Sequence, residues 1–317
     1  MAQNDNLQKK SSISAEDLAR LSKEAEEEAT PSSRQIIWNE FKADRAAMVS
    51  AIIIVAFILF VVIAAFFIPA HEYKDVNILA YFNKPFTNDF WLGADSSGRS
   101  IAKLMIVGSR NSIGIAIGLT LISGTFGIAY GLISGYFGGI TDMVMSRIYD
   151  FMIMLPQLMF IIVLVTIIQN YNAVTLTLIL SLFQWMGTSR LIRSRALAES
   201  RKDYVAASKT SGTSNFKIIF REIMPNISSL IIVEMTLSFS GNLGVETGLS
   251  FLGFGLPNGT PSLGTLIANA TDPTNITQYW WTWIFAAIEI IVLCLSVSYV
   301  GQALRRAADS SQRLGLD

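Results

Sequence analysis

The stretch LIRSRALAESRKDYVAASKTSGTSNFKIIFREIMPN, Leu191 to Asn226, is the long polar segment between apolar runs from which the rest of the chain can be read. With Arg190 at its border it carries eight Lys or Arg residues, and helix formers lie on both sides of Gly212. A Gly between two helical patterns is a C-cap or turn signal, and Thr213, Ser214 and Asn215 just after it are N-cap residue types. The segment therefore predicts helix, tight turn, helix, with Pro225 stopping the second helix. Before Gly212, Leu197, Arg201, Tyr204, Val205 and Ser208 recur at helical spacing and give a modest apolar stripe. Such a stripe fits docking on a soluble partner, and equally fits lying on the membrane surface or on its own bundle.

Outward from this segment the chain is too apolar for an ordinary soluble domain: 51% of its 317 residues are hydrophobic, 15% are charged and the mean hydropathy is +0.45. Lys plus Arg equals Asp plus Glu at 24 each, so no net field favours nucleic acid. The single Cys294 excludes an intrachain disulfide and a multi-thiolate metal site, and reads as a small buried hydrophobe. The single His71 excludes a multi-histidine metal site and leaves no base for a catalytic triad. No Gly-Lys dipeptide occurs, so a Walker A loop is excluded and any ATP is hydrolysed by a partner.

Residues 1–33 are rich in Ser, Glu, Lys and Ala and read as a mobile tail or frayed helix. In IIWNEFKADRAAM, the residues Ile37, Trp38, Phe41 and Met48 fall near one side, which suits a helix lying in the interface before the chain turns into the membrane. Six spans are expected: Ala47–Ile68, Asn111–Thr141, two within Phe151–Gly187 that turn at Gln169–Asn172, Ile227–Leu249 and Trp280–Val300. Pro156 should kink the third. Gly127, Gly131, Gly135 and Gly139 recur every four residues and form a column along which another helix can approach closely. Asp142, Arg147 and Asp150 read as a solvated turn with local ion pairing.

Six spans put both termini on one side. With the termini inside, 19 of the 24 Lys and Arg residues fall in inner segments, so the charged loop and both ends are expected to be cytoplasmic. Tyr279, Trp280, Trp281 and Trp283 would then form part of an outer aromatic belt. Carboxylates inside spans are functional candidates because charge is costly there; Glu234, Glu246 and Glu289 qualify. Glu246 is the candidate pathway residue, against the alternative that each is tied to a backbone or hydroxyl partner. Asn258-Gly259-Thr260 is a glycosylation triplet that carries meaning only in a glycosylating compartment.

The residues Ala206-Ala207-Ser208, Gly212 and Met224-Pro225 resemble the EAA loop of ABC-importer permeases, with Ala206 in place of the Glu, Ser208 of the second Ala, Glu222 of the Ile and Met224 of the Leu. WLGADSSGRS (Trp91–Ser100), GSRNSI (Gly108–Ile113), RIYDFMIMLP (Arg147–Pro156), ETGLSFLGFGLP (Glu246–Pro257) and VGQALRRAAD (Val300–Asp309) are similar to segments of the C-type permease of oligopeptide and dipeptide systems. Ala94, Ser100, Gln302 and Arg306 depart from that group at positions that are usually polar or acidic.

The resemblance implies an all-α integral membrane protein of the type I ABC importer permease fold with six transmembrane helices, multi-pass in the cell membrane. Its parts would be a cytoplasmic tail and interfacial helix (1–46), a first span and extracellular segment (47–107), the permease core (108–303) with its coupling loop (190–226), and a cytoplasmic tail (304–317). Ala206, Ala207, Ser208, Gly212, Glu222 and Pro225 would contact the ATPases. The implied partners are a second permease, two ATP-binding subunits, an extracellular peptide-binding protein, the peptide and the bilayer. ATP and Mg would reside in the ATPases, with no cofactor in this chain. Two alternatives remain: the same machine for nickel or another small solute, and a self-sufficient secondary transporter relaying protons through Glu234, Glu246 and Glu289.

Overall fold

The computed structural model describes residues 33–87, 90–168, 171–257 and 259–314, and their regular structure is helical apart from two isolated β-bridges. The expected tail, the Gln169–Asn170 half of the expected turn and Asn258 lie outside the described residues. Helix α1 (Ser33–Ala43) is followed directly by α2 (Arg45–Phe66). Between them Asp44 caps α2, its side chain accepting from the Ala47 amide at 3.1 Å. The other carboxylate oxygen accepts from Arg306 at 2.9 Å. The amide bond and then Arg306 hold the Asp44 carboxyl below its usual range. Arg306, a departure from the family pattern, thus has a local partner.

Helix α3 runs from Ile101 to Phe137. It begins well before the expected Asn111, because the helix continues through Lys103 and Arg110, which bound the charge-free stretch. At 37 residues it is about 55 Å long, against about 30 Å of hydrocarbon. The surplus is wrapped by the segment between α2 and α3: Lys103 pairs with Glu72 at 2.7 Å, and the Ile101 amide donates to Gly93 at 3.0 Å. Trp281 closes this cap, buried with its indole N–H on the Ala94 carbonyl at 3.2 Å, while Tyr279 stacks on Phe82. Trp281 is therefore core rather than part of a lipid-facing belt; Trp280 beside it is exposed.

Gly138, at φ +60°, ends α3 and starts α4 (Gly139–Met154). Pro156 separates α4 from α5 (Gln157–Ile167), and the two axes differ by 76°, a stronger break than a kink. Helix α6 (Ala173–Glu199) packs along α3. A Cβ at Gly127, Gly131 or Gly135 would stand 2.6–2.7 Å from the carbonyl oxygens of Trp185, Ser189 and Arg193 in turn, so this column is where the two backbones meet. Gly139 does not belong to it: it lies beyond the Gly138 break at φ +51° and faces open space.

After α7 (Asp203–Thr210) and residues 215–226, α8 (Ser228–Phe251) and the terminal α9 (Ile284–Leu314) complete the bundle. The last helix starts later than expected, because Trp280–Thr282 is a 3-10 turn of the same cap, and it continues through residues 304–314. Helices α2, α3, α8 and α9 are each long and apolar enough to cross a membrane, and α4 with α5 makes a fifth crossing if taken together. Helix α6 is diluted by Gln184, Thr188, Ser189 and Arg190; Thr188 and Ser189 are buried on the face it packs along α3. This inventory is compatible with six spans.

Candidate functional site

The charged loop folds from local signals. Helix α7 ends at Thr210 with Ser211 as its C-cap, and Gly212 at φ +78° turns the chain. The Thr213 amide reaches back to the Ser208 carbonyl (3.0 Å) and the Gly212 amide to Lys209 (3.1 Å), which satisfies the carbonyls left over at the helix end. Nothing lies within 4 Å of a Cβ added at Gly212, so the constraint there is conformational, not spatial.

Ser214 precedes the second helical segment without a side-chain cap bond. That segment is Asn215–Lys217, a π-helical stretch Ile218–Ile223, and Met224–Asn226. Pro225 does not stop it. Proline lacks an N–H and clashes with a carbonyl four residues back; the wider turn just before it, with Met224 donating to Ile219, loosens that crowding and lets the helix pass into α8.

The loop has a buried base and an exposed rim. Val205, Ile218, Ile219 and Ile223 are buried against Leu132 of α3 and Ile192 of α6, so the apolar stripe docks partly on the protein's own bundle. Tyr204 is half-buried, and burial first of all pushes its phenol up to about 12; its hydroxyl donates to Glu199 at 3.0 Å. The rim carries Ala206, Ala207, Gly212 and Pro225, all exposed, and Ser208, partly covered. Phe216 joins them, 72% exposed between Gly212 and a basic helix. The sequence reading did not single out Phe216, although an aromatic beside a Gly turn in a polar loop was a visible signal. Glu222 faces inward instead, with one carboxylate oxygen buried and without a partner among the described residues.

The three membrane carboxylates do not form one cluster. Glu234 of α8 accepts from Thr188 of α6 at 2.9 Å and from Ser238 at 3.2 Å. Glu289 of α9 pairs with Ser109 of α3. Glu246 is fully buried; one oxygen accepts from Ser250 at 2.7 Å and the other has no hydrogen-bond partner among the described residues. Hydroxyls of Ser112, Thr247 and Ser262 gather around it. Ser112 also accepts from the Leu263 amide at 3.1 Å, and Asn111 donates to the Pro261 carbonyl at 2.8 Å. Glu246 thus sits where α8, α3 and the segment after Pro257 are fastened together.

Asp142 pairs not locally but across to α6, its two oxygens accepting from Arg193 at 2.5 and 2.6 Å. Ser134 donates to the same carboxylate at 2.5 Å. These partners are 51 residues apart, and no sequence spacing could have joined them. Arg147 and Asp150 do pair locally, at 4.0 Å.

Comparison with known proteins agrees with this architecture. Residues 127–310 match the family described as "Binding-protein-dependent transport system inner membrane component", and residues 32–85 match "N-terminal TM domain of oligopeptide transport permease C". The oligopeptide transport system permease protein OppC of Lactococcus lactis subsp. lactis (strain IL1403) is 51% identical over 87% of this chain and 94% of its own length. OppC of Bacillus subtilis (strain 168) is 33% identical over 86% and 88% respectively. The dipeptide transport system permease protein DppC of the same organism is 31% identical over 88% and 86%.

Proposed function

The chain belongs to the binding-protein-dependent inner-membrane permease family, in its oligopeptide and dipeptide transport branch, and from that premise we propose that it is one of two permease subunits of an ATP-driven importer of short peptides. It lines the translocation pathway with a second permease, receives peptide from an extracellular binding protein and is driven by two cytoplasmic ATPases. ATP and Mg are held by those ATPases, and this chain carries no cofactor. The observation that supports the coupling role is the loop itself: an exposed rim of Ala206, Ala207, Gly212 and Phe216 on a buried base of Val205, Ile218 and Ile223. A base packed on α3 and α6 transmits a push on the rim directly to those helices. ATPase closure then swings the spans between inward- and outward-facing states.

Affinity purification of the tagged chain, followed by identification of its companions and by peptide uptake with and without ATP, tests this reading. The expected result is a second permease with two ATP-binding subunits and uptake that requires ATP. A chain that purifies alone and takes up peptide without ATP hydrolysis would favour secondary transport and overturn it.

A further inference from the structure

On α4, Asp142, Ser146, Tyr149, Asp150 and Ile153 recur at helical spacing and share one stripe. Across from that stripe stand Tyr130 and Ser134 of α3, and Ser189, Arg190 and Arg193 of α6. The three helices enclose a cavity of about 340 Å³ on the side of the bundle that bears the charged loop. Part of its lining is already committed: Arg193 is taken by Asp142, and the Tyr130 hydroxyl donates to the Met145 carbonyl at 2.6 Å. Those bonds fix the walls. Asp150 makes one ion-pair contact, with Arg147 at 4.0 Å, and stands close enough to Arg193 to act on it through space, while Arg190 has no carboxylate within 4.0 Å among the described residues. The hydroxyls of Ser146 and Tyr149 belong to residues of the same lining and have no hydrogen-bond partner among the described residues.

Asp150 is half-exposed and Arg190 exposed, and charge against lipid is costly, so this face fits water better than hydrocarbon. A carboxylate on one helix, a guanidinium on another and hydroxyls in the same lining match the features shared by every short peptide: an α-ammonium, a terminal carboxylate and amides. They ignore the side chains, which differ from peptide to peptide. The volume lies at the small end of ligand sites, which suits a ligand of two or three residues or one end of a longer one.

We propose that this cavity holds the zwitterionic backbone of a short peptide at the inner end of its passage, the ammonium on Asp150 and the carboxylate on Arg190. The inference rests on the importer reading above and adds a site to it.

The test uses the intact complex purified through this chain and reconstituted in vesicles of mixed phosphatidylethanolamine and phosphatidylglycerol. The probe is a tripeptide with free termini and a photoactivatable diazirine on its middle side chain. Illumination during ATP-driven uptake should label residues 146–153. Asp150→Asn, which is isosteric, and Arg190→Gln, which is shorter but polar and uncharged, should each lower that labelling about tenfold at one probe concentration, the loss of one charge-assisted contact. Capping the probe's ammonium by acetylation should mimic Asp150→Asn and add nothing further in that variant. Labelling elsewhere while uptake proceeds, or labelling unchanged in both variants, overturns the site and leaves the importer reading standing. Retention of a phosphatidylethanolamine molecule by the parent complex and its loss in Asp150→Asn, with peptide labelling unaffected, reassigns the cavity to lipid and also overturns it. An intact complex that imports no peptide overturns the importer reading itself.

Discussion

At Gly212 one dihedral decides the loop. With φ at +78° and no atom near its would-be Cβ, a substituted side chain has room but not conformation. A residue in this region costs roughly 1–2 kcal/mol, and β-branching makes it worse. Gly212→Val should therefore displace the rim while the buried base holds the chain assembled, leaving ATP hydrolysis running and peptide uptake reduced. Gly212→Asn, which tolerates the left-handed turn, should keep most uptake. Normal assembly with parental uptake in the valine variant would remove Gly212 from the coupling path. Glu246 poses a different question, because it is buried and holds together three elements through hydroxyls that can donate or accept. Glu246→Gln keeps the shape and replaces the ionisable carboxyl with an amide, so assembly should survive while uptake falls. Transport at the parental rate would reduce Glu246 to a structural bond.

At the scale of the element, the α3–α6 contact is the firmest packing expectation. Gly131 meets the Ser189 carbonyl and the Arg193 amide, both backbone, so neither helix can yield by rotating a side chain. Gly131→Leu should part the helices and lower the yield of assembled complex in detergent several-fold, by the usual cost of overpacking, about 1–3 kcal/mol or more. Ala129, partly exposed and on another face, should accept Leu with little loss; equal yields from the two variants would refute the packing assignment. The same contact shows what sequence could deliver. Period-four glycines, the Gly turn and the Pro156 break were legible because each is a local backbone requirement. The end of the column at Gly135 was not, since the Gly138 break looks like continuation until the dihedral is known. Pro225 read as a stop because the π-helical turn that admits it depends on Ile218, Ile219 and Ile223 being buried from three sides. Trp281 and the Asp142–Arg193 pair were hidden for the same reason: their partners are supplied by distant segments.

On the scale of the whole molecule, the packing sorts the chain into two ends. Asp44, Arg306 and a groove lined by Trp38, Ser228 and Leu304 bring the start of α2, the start of α8 and the end of α9 together. Glu72–Lys103, Trp281–Ala94 and Asn111–Pro261 gather the other connections at the opposite end. The packing does not say which end faces the cytoplasm; the charge distribution sets the expectation that it is the end with the α6–α8 loop, which holds most of the Lys and Arg while the loop between α8 and α9 holds none. Replacing Cys294 with Ala gives a cysteine-free background, since it is the only cysteine. In that background Ser214→Cys places a thiol on the exposed loop and Thr271→Cys one on the exposed opposite end. A membrane-impermeant maleimide added to intact cells should label the Thr271→Cys variant and spare the Ser214→Cys variant, with the order reversed in inside-out vesicles. Labelling of the Ser214→Cys variant from outside would invert the chain, carry the loop away from any cytoplasmic ATPase and defeat the coupling role along with the orientation.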